Sequence, residues 1–382
     1  MNIHSKLPRT GTTIFTVMSA LAQQHNAVNL GQGFPDFLCD EELMKLASKY
    51  IHEGYNQYAP MPGLPRLRQV LADKYNTLYN TDIDWDKDIT ITAGGTQAIY
   101  SAITAIAQED DEIIIFEPAY DSYVPAIELC KAVPVYITLT APDFKIDWEQ
   151  VKKSITHKTK AIILNTPHNP TGRIWTAQDM QMLDKLTQGT DIIIISDEVY
   201  EHLVFDNKTH ESVLKYPTLR ARSYAAYSFG KTYHNTGWKM GYVIAPEHLT
   251  KELRKVHQFI VFSVNTPFQY AFADMVSHAD TYKGLNSFYQ HKRDLFLNLI
   301  KGTGWKPLVT QGSYFQLLDY SAFSSKHDTD FAVELVERGG IAAVPLSVFY
   351  HHAPEQKLLR FCFAKKDETL EAAAEKLRAF KG

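Results

Sequence analysis

Cysteine is scarce in this chain and widely scattered. Cys39, Cys130 and Cys362 are the only three, far apart and without metal-ligand spacing. That excludes a disulfide scaffold and a thiolate metal site, and it fits reduced thiols in a cytoplasmic protein. No excess of one charge sign appears either. The formal net charge is −4, with acids and bases mixed along the sequence. A nucleic-acid or membrane-surface partner therefore has no electrostatic support. No apolar run approaches the length of a membrane span, and repeats and low-complexity linkers are absent. One short stretch imitates a secretion signal: Lys6 and Arg9 precede apolar residues 14–22, which end in Ala20-Leu-Ala22. Thr16 and Ser19 interrupt it, and Phe15, Met18 and Leu21 share one helical face. The pattern predicts an amphipathic helix retained in the mature protein.

What is present is enough for a large core: 382 residues with 45% apolar content, a size that suggests two domains. From about residue 41, short β-rich runs alternate with helical patterns. The runs cover 113–116, 135–139, 161–164, 192–195, 223–229 and 241–245, and helices are expected over 96–107, 126–131 and 176–186. Continuous apolar runs such as Ile192 to Ile195 suit strands covered on both faces. The alternation predicts an α/β fold with a mostly parallel central sheet and a ligand at the strands' carboxyl ends. Beyond about residue 280 the pattern becomes a helix (288–300), a strand (314–318), a helix (330–338) and a strand (358–363), read as a smaller α+β unit. The division expected is a large domain over 41–280 and a discontinuous small domain over 1–40 and 281–382.

Two glycine motifs mislead. Gly31-Gln-Gly33-Phe-Pro-Asp36 lacks the third glycine of a dinucleotide loop, and no βαβ unit precedes it. Gly230-Lys231-Thr232 ends like a P-loop, but Ala225 stands where the first glycine belongs. Lys231 needs another explanation.

Chemistry built on pyridoxal 5′-phosphate (PLP) demands a lysine amine for the aldehyde, an anion near the pyridine nitrogen, a phosphate cradle and an aromatic wall. Amino-group transfer adds a cation for the substrate carboxylate. A candidate exists for each. Lys231 follows an apolar run, with glycine before it and hydroxyl residues nearby, and Lys239 lies eight positions on. A solvated surface lysine is the plain alternative. Desolvation and the second cation would lower the Lys231 pKa and make it a nucleophile, while Lys239 and Ser228 would hold phosphate. Asp197 follows a run of four isoleucines, where a carboxylate is costly unless paired. It is either a helix N-cap or the partner of a pyridinium nitrogen. Tyr200 would then reach the ring oxygen O3′. Asn169-Pro-Thr-Gly172 is either a simple turn or a second donor to O3′, and His168 beside it reads as structural.

Ala93-Gly-Gly95-Thr96-Gln97 opens a helix, where free N–H groups can meet an anion. Tyr120 is either a core tyrosine or a stacking partner for the cofactor ring. Arg360 sits in the apolar run Leu358-Leu-Arg-Phe-Cys-Phe363. It needs an anion, either an α-carboxylate held by its fork or a structural ion-pair partner.

Taken in order, Tyr58-Ala-Pro, Gly-Gly-Thr, Pro-Ala-Tyr120, Asn-Pro-Thr-Gly, Asp-Glu-Val-Tyr200, Ser-Phe-Gly-Lys231, Gly-Trp-Lys239 and Arg-Phe-Cys-Phe363 span almost the whole chain. The set resembles the fold-type-I, class I/II aminotransferases. It looks closest to the kynurenine/glutamine branch and, within it, the bacterial methionine aminotransferases, through Thr12-Thr-Ile-Phe15, Gln32-Gly-Phe-Pro-Asp36 and Pro345-Leu-Ser-Val-Phe349.

The resemblance implies Lys231 as the lysine that carries PLP and moves the proton, Asp197 at the pyridine nitrogen, and Asn169 and Tyr200 at O3′. It implies Gly95, Thr96, Gln97, Ser228 and Lys239 around the phosphate, with Tyr58 reaching in from a partner subunit of a homodimer. Tyr120 would stack. Arg360 would take the substrate carboxylate with Gly33 and Asn169, and Phe15, Phe34 and Phe349 would wall the side-chain pocket. Lys239 fills a position that is arginine in many relatives, so its grip is a point charge rather than a fork.

Three functions are weighed. The first is an aminotransferase for a neutral bulky amino acid, with methionine ahead of aromatic residues and glutamine. The second is a PLP-dependent C–S β-lyase acting on cysteine conjugates, which fold alone does not separate. The third, a PLP-fold regulator, would need a DNA-binding domain. Only about 40 residues precede the first core motif, and they are not basic enough.

Overall fold

The computed structural model describes residues 3–8 and 10–382, so Arg9 of the signal-like stretch lies outside the described residues. Residues Ile14–Gln24 form a helix that Thr13 caps by accepting from the Thr16 N–H, and Met18 and Ala22 are its buried residues. The amphipathic reading of that stretch matches the helix. A short parallel pair then joins the chain's first elements to its last: Val28 pairs with Ile341 and Asn29 with Ala342.

The central sheet has seven strands. Across the sheet they run Ile89–Thr92, Gly241–Ile244, Ser223–Ser228, Ile193–Asp197, Thr159–Asn165, Glu112–Glu117 and Val133–Thr138. Only Gly241–Ile244 is antiparallel to its neighbours; the other contacts are parallel. The apolar runs form strands because both faces are covered. Ile113, Ile114, Ile115, Ile162, Ile194 and Ile195 are all fully buried or nearly so, each contributing about 1.5–3 kcal/mol through its removal from water. The helix Gly94–Ile106 packs against three of the middle strands.

A second sheet of four antiparallel strands, in the order Val344–Pro345, Leu358–Cys362, Phe315–Asp319, Lys306–Pro307, carries Arg360 opposite Leu317. Helices Leu285–Leu299, Asp328–Gly339 and Asp367–Ala379 belong to the same stretch of chain. Among the described residues no helix is long and apolar enough to cross a membrane.

Candidate active site

Three parallel strands end in polar residues side by side. Asn165, Asp197 and Ser228 are each the last residue of their strand, and all three line one cavity of about 230 Å³. Lys231 enters it from the short helical turn Phe229–Thr232 that follows Ser228. A Cβ on Gly230 would lie 2.9 Å from the Cα of Thr236, so only glycine lets the chain fold so tightly before the lysine.

The cavity's charges do not balance. Lys231, Lys239 and Arg360 line it against a single carboxylate, Asp197. Burial pushes the Lys231 amine down to about 8, so a far larger share of it is neutral near neutral pH than for an ordinary lysine. Its Nζ donates to the Tyr314 hydroxyl at 2.7 Å and to the Gly33 carbonyl at 3.3 Å.

Asp197 is 5% exposed. Burial raises its pKa to about 6, opposed by the Tyr123 hydroxyl, the Val199 N–H and the charge of Lys231. Tyr123 donates to its Oδ2 at 2.5 Å. No helix starts at Asp197; the strand runs into a turn. The N-cap alternative is therefore withdrawn, and the carboxylate keeps capacity for a cationic partner.

Arg360 is 1% exposed and has no ion-pair partner among the described residues, Asp121 acting only at a distance. Its guanidinium lies 4.0 Å from the Phe315 ring centroid. One terminal nitrogen donates to Asn169 Oδ1 at 2.8 Å, the other to the Gly31 carbonyl at 3.0 Å, and Nε has no acceptor at all. A buried orphan donor on a buried cation is costly, and an arriving carboxylate would satisfy both deficits. The structural ion pair weighed as its alternative is absent.

At the opposite side the helix Gly94–Ile106 begins without a side-chain cap. Its first N–H groups are free for an anion. The Lys239 amine lies 3.6 Å from where a Gly94 Cβ would stand, and Ser228 lies beside Gly95. On Gly241 a Cβ would meet the Tyr227 carbonyl oxygen at 2.6 Å and Gly94 at 2.9 Å, so glycine is what lets strand and helix start approach. The family model for aminotransferases of class I and II matches residues 25–377.

The chain belongs to this family. It is 49% identical to the methionine aminotransferase of Escherichia coli K12, over 98% of this chain and 97% of that one. It is 34% identical to human kynurenine–oxoglutarate transaminase 1, over 94% of each chain. Among solved structures it superimposes on YbdL of Escherichia coli, described with a methionine aminotransferase function, at a TM-score of 0.98 with 48% identity and full coverage of both chains. The Mycobacterium tuberculosis N-succinyldiaminopimelate aminotransferase superimposes at 0.95 with 32% identity, over 99% of this chain and 100% of that one. These aminotransferases share the fold-type-I architecture of the mostly parallel central sheet, and the family implies PLP as cofactor. The donor set fits such a group: a desolvated amine, an uncapped helix start with a lysine beside it, and a buried carboxylate.

Most residues expected at an aminotransferase site are brought together. Gly33, Phe15, Phe34, Gly95, Thr96, Tyr120, Asn169, Tyr200, Ser228 and Lys239 line the same cavity as Lys231, Asp197 and Arg360. Gln97 is a correction. It lies a full turn into the helix, accepts from the Ala93 N–H, and donates to Ser101 and His257, so its carboxamide is committed away from the cavity. Phe349 is displaced: it lines a neighbouring groove and reaches the site through Arg360, 5.2 Å from its ring, and through Phe15. Tyr58 is 81% exposed and touches Phe262 rather than the cavity of its own chain. His168 bonds Thr171, and burial lowers it to about 3, a neutral structural residue. Three residues escaped the reading of the sequence. Tyr123 holds Asp197, Tyr314 holds Lys231, and Asn165 ties Asn169 to the strand end by accepting from its N–H at 2.8 Å.

Proposed function

We propose that the protein is a PLP-dependent aminotransferase that moves the amino group of a neutral, bulky amino acid, methionine first, then aromatic residues and glutamine, to a 2-oxo acid. The observation that carries the reading is the buried, unpaired Arg360 facing the cavity that holds the desolvated Lys231. PLP, when bound, supplies the aldehyde that captures the amino group and a ring that accepts the electron pair released at the α-carbon. The free N–H groups at Gly94–Thr96, with Ser228 and Lys239, would hold its phosphate. Asp197 would hold the ring nitrogen, Asn169 and Tyr200 its O3′, and Tyr120 one face. Arg360 orients the donor by its α-carboxylate, and Lys231 takes and returns the proton.

The side-chain end supports a neutral donor. Phe15, Phe34 and Phe315 line it, and the cavity's three cations are all assigned. An acidic side chain would be desolvated there without a partner, at a cost of several kcal/mol. Aromatic edges suit a thioether, and the similarity to a methionine aminotransferase supports placing methionine first. Homodimer formation is part of the proposal, supported by the exposed edge-on pair Tyr58 and Phe262 and by the exposed Phe259. So is a cytoplasmic location, supported by three cysteines that form no disulfide.

The test is kcat/KM for methionine, phenylalanine, glutamine and aspartate against one oxo acid. Methionine should lead and aspartate trail. Aspartate as best donor would overturn the pocket argument. Pyruvate and ammonia released from a cysteine conjugate without any oxo acid would move the reading to the C–S lyase.

A further inference from the structure

The amine of Lys231 does not hang free in the cavity. It is held between two oxygens, the Tyr314 hydroxyl at 2.7 Å and the Gly33 carbonyl at 3.3 Å. Tyr314 itself donates to the Gly33 carbonyl. That hydroxyl's one hydrogen is taken up by the Gly33 carbonyl and the neighbouring Tyr200 hydroxyl, so its contact with the lysine is as acceptor. Tyr314 is fully buried just ahead of the strand Phe315–Asp319, with its ring edge-on to Tyr200 at 5.0 Å. Gly33 packs closely on Phe315, where a Cβ would lie 2.9 Å from the ring. The two oxygens therefore form one mount, tied together by the Tyr314–Gly33 hydrogen bond.

A neutral amine has two hydrogens and one lone pair. With both hydrogens bonded to the mount, the lone pair must point away from it, toward the cavity. After protonation it is the third hydrogen that points there. We propose that Tyr314 is a positioning residue for Lys231, accepting a hydrogen bond from its amine so that the lone pair, and then the proton, faces the substrate's α-carbon. The inference rests on the reading of Lys231 as the group that moves the proton. In that step the C–H bond breaks as an N–H bond forms on Lys231, and the electron pair stays with the substrate. Tyr314 neither gains nor loses a proton.

The variant is Tyr314→Phe, which keeps the ring and removes the acceptor. In the holoenzyme, single-turnover transfer from methionine should slow about tenfold or more. Donor affinity should change by less than about threefold, since Arg360 is untouched, and the α-deuterium isotope effect should rise as proton transfer becomes more limiting. A second readout needs no turnover: the pH dependence of Lys231 acylation in the cofactor-free full chain. Asp197, Arg360, Lys239, Cys362, Tyr200 and Tyr314 all face this amine and are common to both proteins except for the one hydroxyl. An acceptor favours the ammonium form, so the midpoint should fall by about half a unit or more in the variant. A fluorinated tyrosine at 314, a weaker acceptor of the same shape, should give intermediate values and serves if Tyr314→Phe folds poorly. An unchanged midpoint overturns the inference, as does an unchanged single-turnover rate. If the wild type itself transfers no amino group, the aminotransferase reading fails instead, and the acylation midpoints still decide whether Tyr314 holds the lysine.

Discussion

Arg360, Asp197 and Lys231 are ionisable groups in buried settings, and the proposed function would give each a partner that arrives with cofactor or substrate. Arg360→Lys should cut kcat/KM for amino acids about 100-fold while leaving PLP binding nearly unchanged, because an ammonium cannot reproduce a planar fork. Amines without a carboxylate reacting as well as amino acids in the wild type would refute that role. Asp197→Ala should keep the fold and most of the cofactor but raise the barrier by roughly 3 kcal/mol, a factor of order 100, as judged by turnover. Lys231→Ala should abolish turnover yet still bind PLP through phosphate contacts, and borohydride should fix the cofactor of the wild type to a peptide containing Lys231 rather than Lys239. These residues were legible in the sequence because a charge among isoleucines, or a lysine after glycine, breaks the local pattern. Tyr314 and Tyr123 were not. Each looks like a core tyrosine, and its partner lies 83 or 74 positions away in the chain, a distance that only the fold closes.

Elements with strong local signals were read within a residue or two. The expected helix over 176–186 is Ala177–Thr187, opened by a capping box between Thr176 and Asp179. The expected strand over 161–164 is the centre of Thr159–Asn165. The helix expected over 126–131 begins earlier, at Tyr123, and ends at Leu129. Pro125 reads as a barrier but is tolerated in a first turn, where its missing N–H has no helical partner; Lys131, at φ 59°, lies beyond the end. Invisible to local pattern was the docking of helix Pro65–Tyr79 onto the turn after Asp197. Lys74, buried, donates to Glu201 at 2.8 Å, and Tyr75 donates to the same oxygen at 2.8 Å. Burial would raise the Glu201 pKa, but His202 and Lys74 outweigh it and hold the carboxyl below its usual range. Lys74→Met should cost about 1–3 kcal/mol in denaturant unfolding, since Tyr75 and His202 still hold the Glu201 carboxylate, and adding Glu201→Leu should recover part of it. A loss in the double variant equal to the sum of the two single-variant losses would show that the pair is not coupled.

At the scale of the whole molecule, the proposed role of Tyr58 makes the site depend on two chains. It is exposed and apart from its own cavity, whereas the proposed homodimer has it complete the partner's phosphate site. Tyr58→Phe should then weaken PLP retention about 10- to 100-fold, the worth of one hydrogen bond to a charged group. A hybrid separates the two possibilities. Tyr58→Phe subunits, mixed with Lys231→Ala subunits, form dimers with two different sites. If Tyr58 acts across the interface, one site of the hybrid joins an intact Lys231 to an intact Tyr58, and the other carries both defects. Random pairing makes half the dimers hybrids, so roughly a quarter of all sites are whole. At a PLP concentration that leaves the Tyr58→Phe parent mostly empty, and with the Lys231→Ala parent inactive, the mixture should show about a quarter of wild-type turnover. If Tyr58 acts within its own chain, every hybrid site lacks one of the two groups, and mixing restores nothing. Activity no greater than the average of the parents would remove Tyr58 from the partner's site.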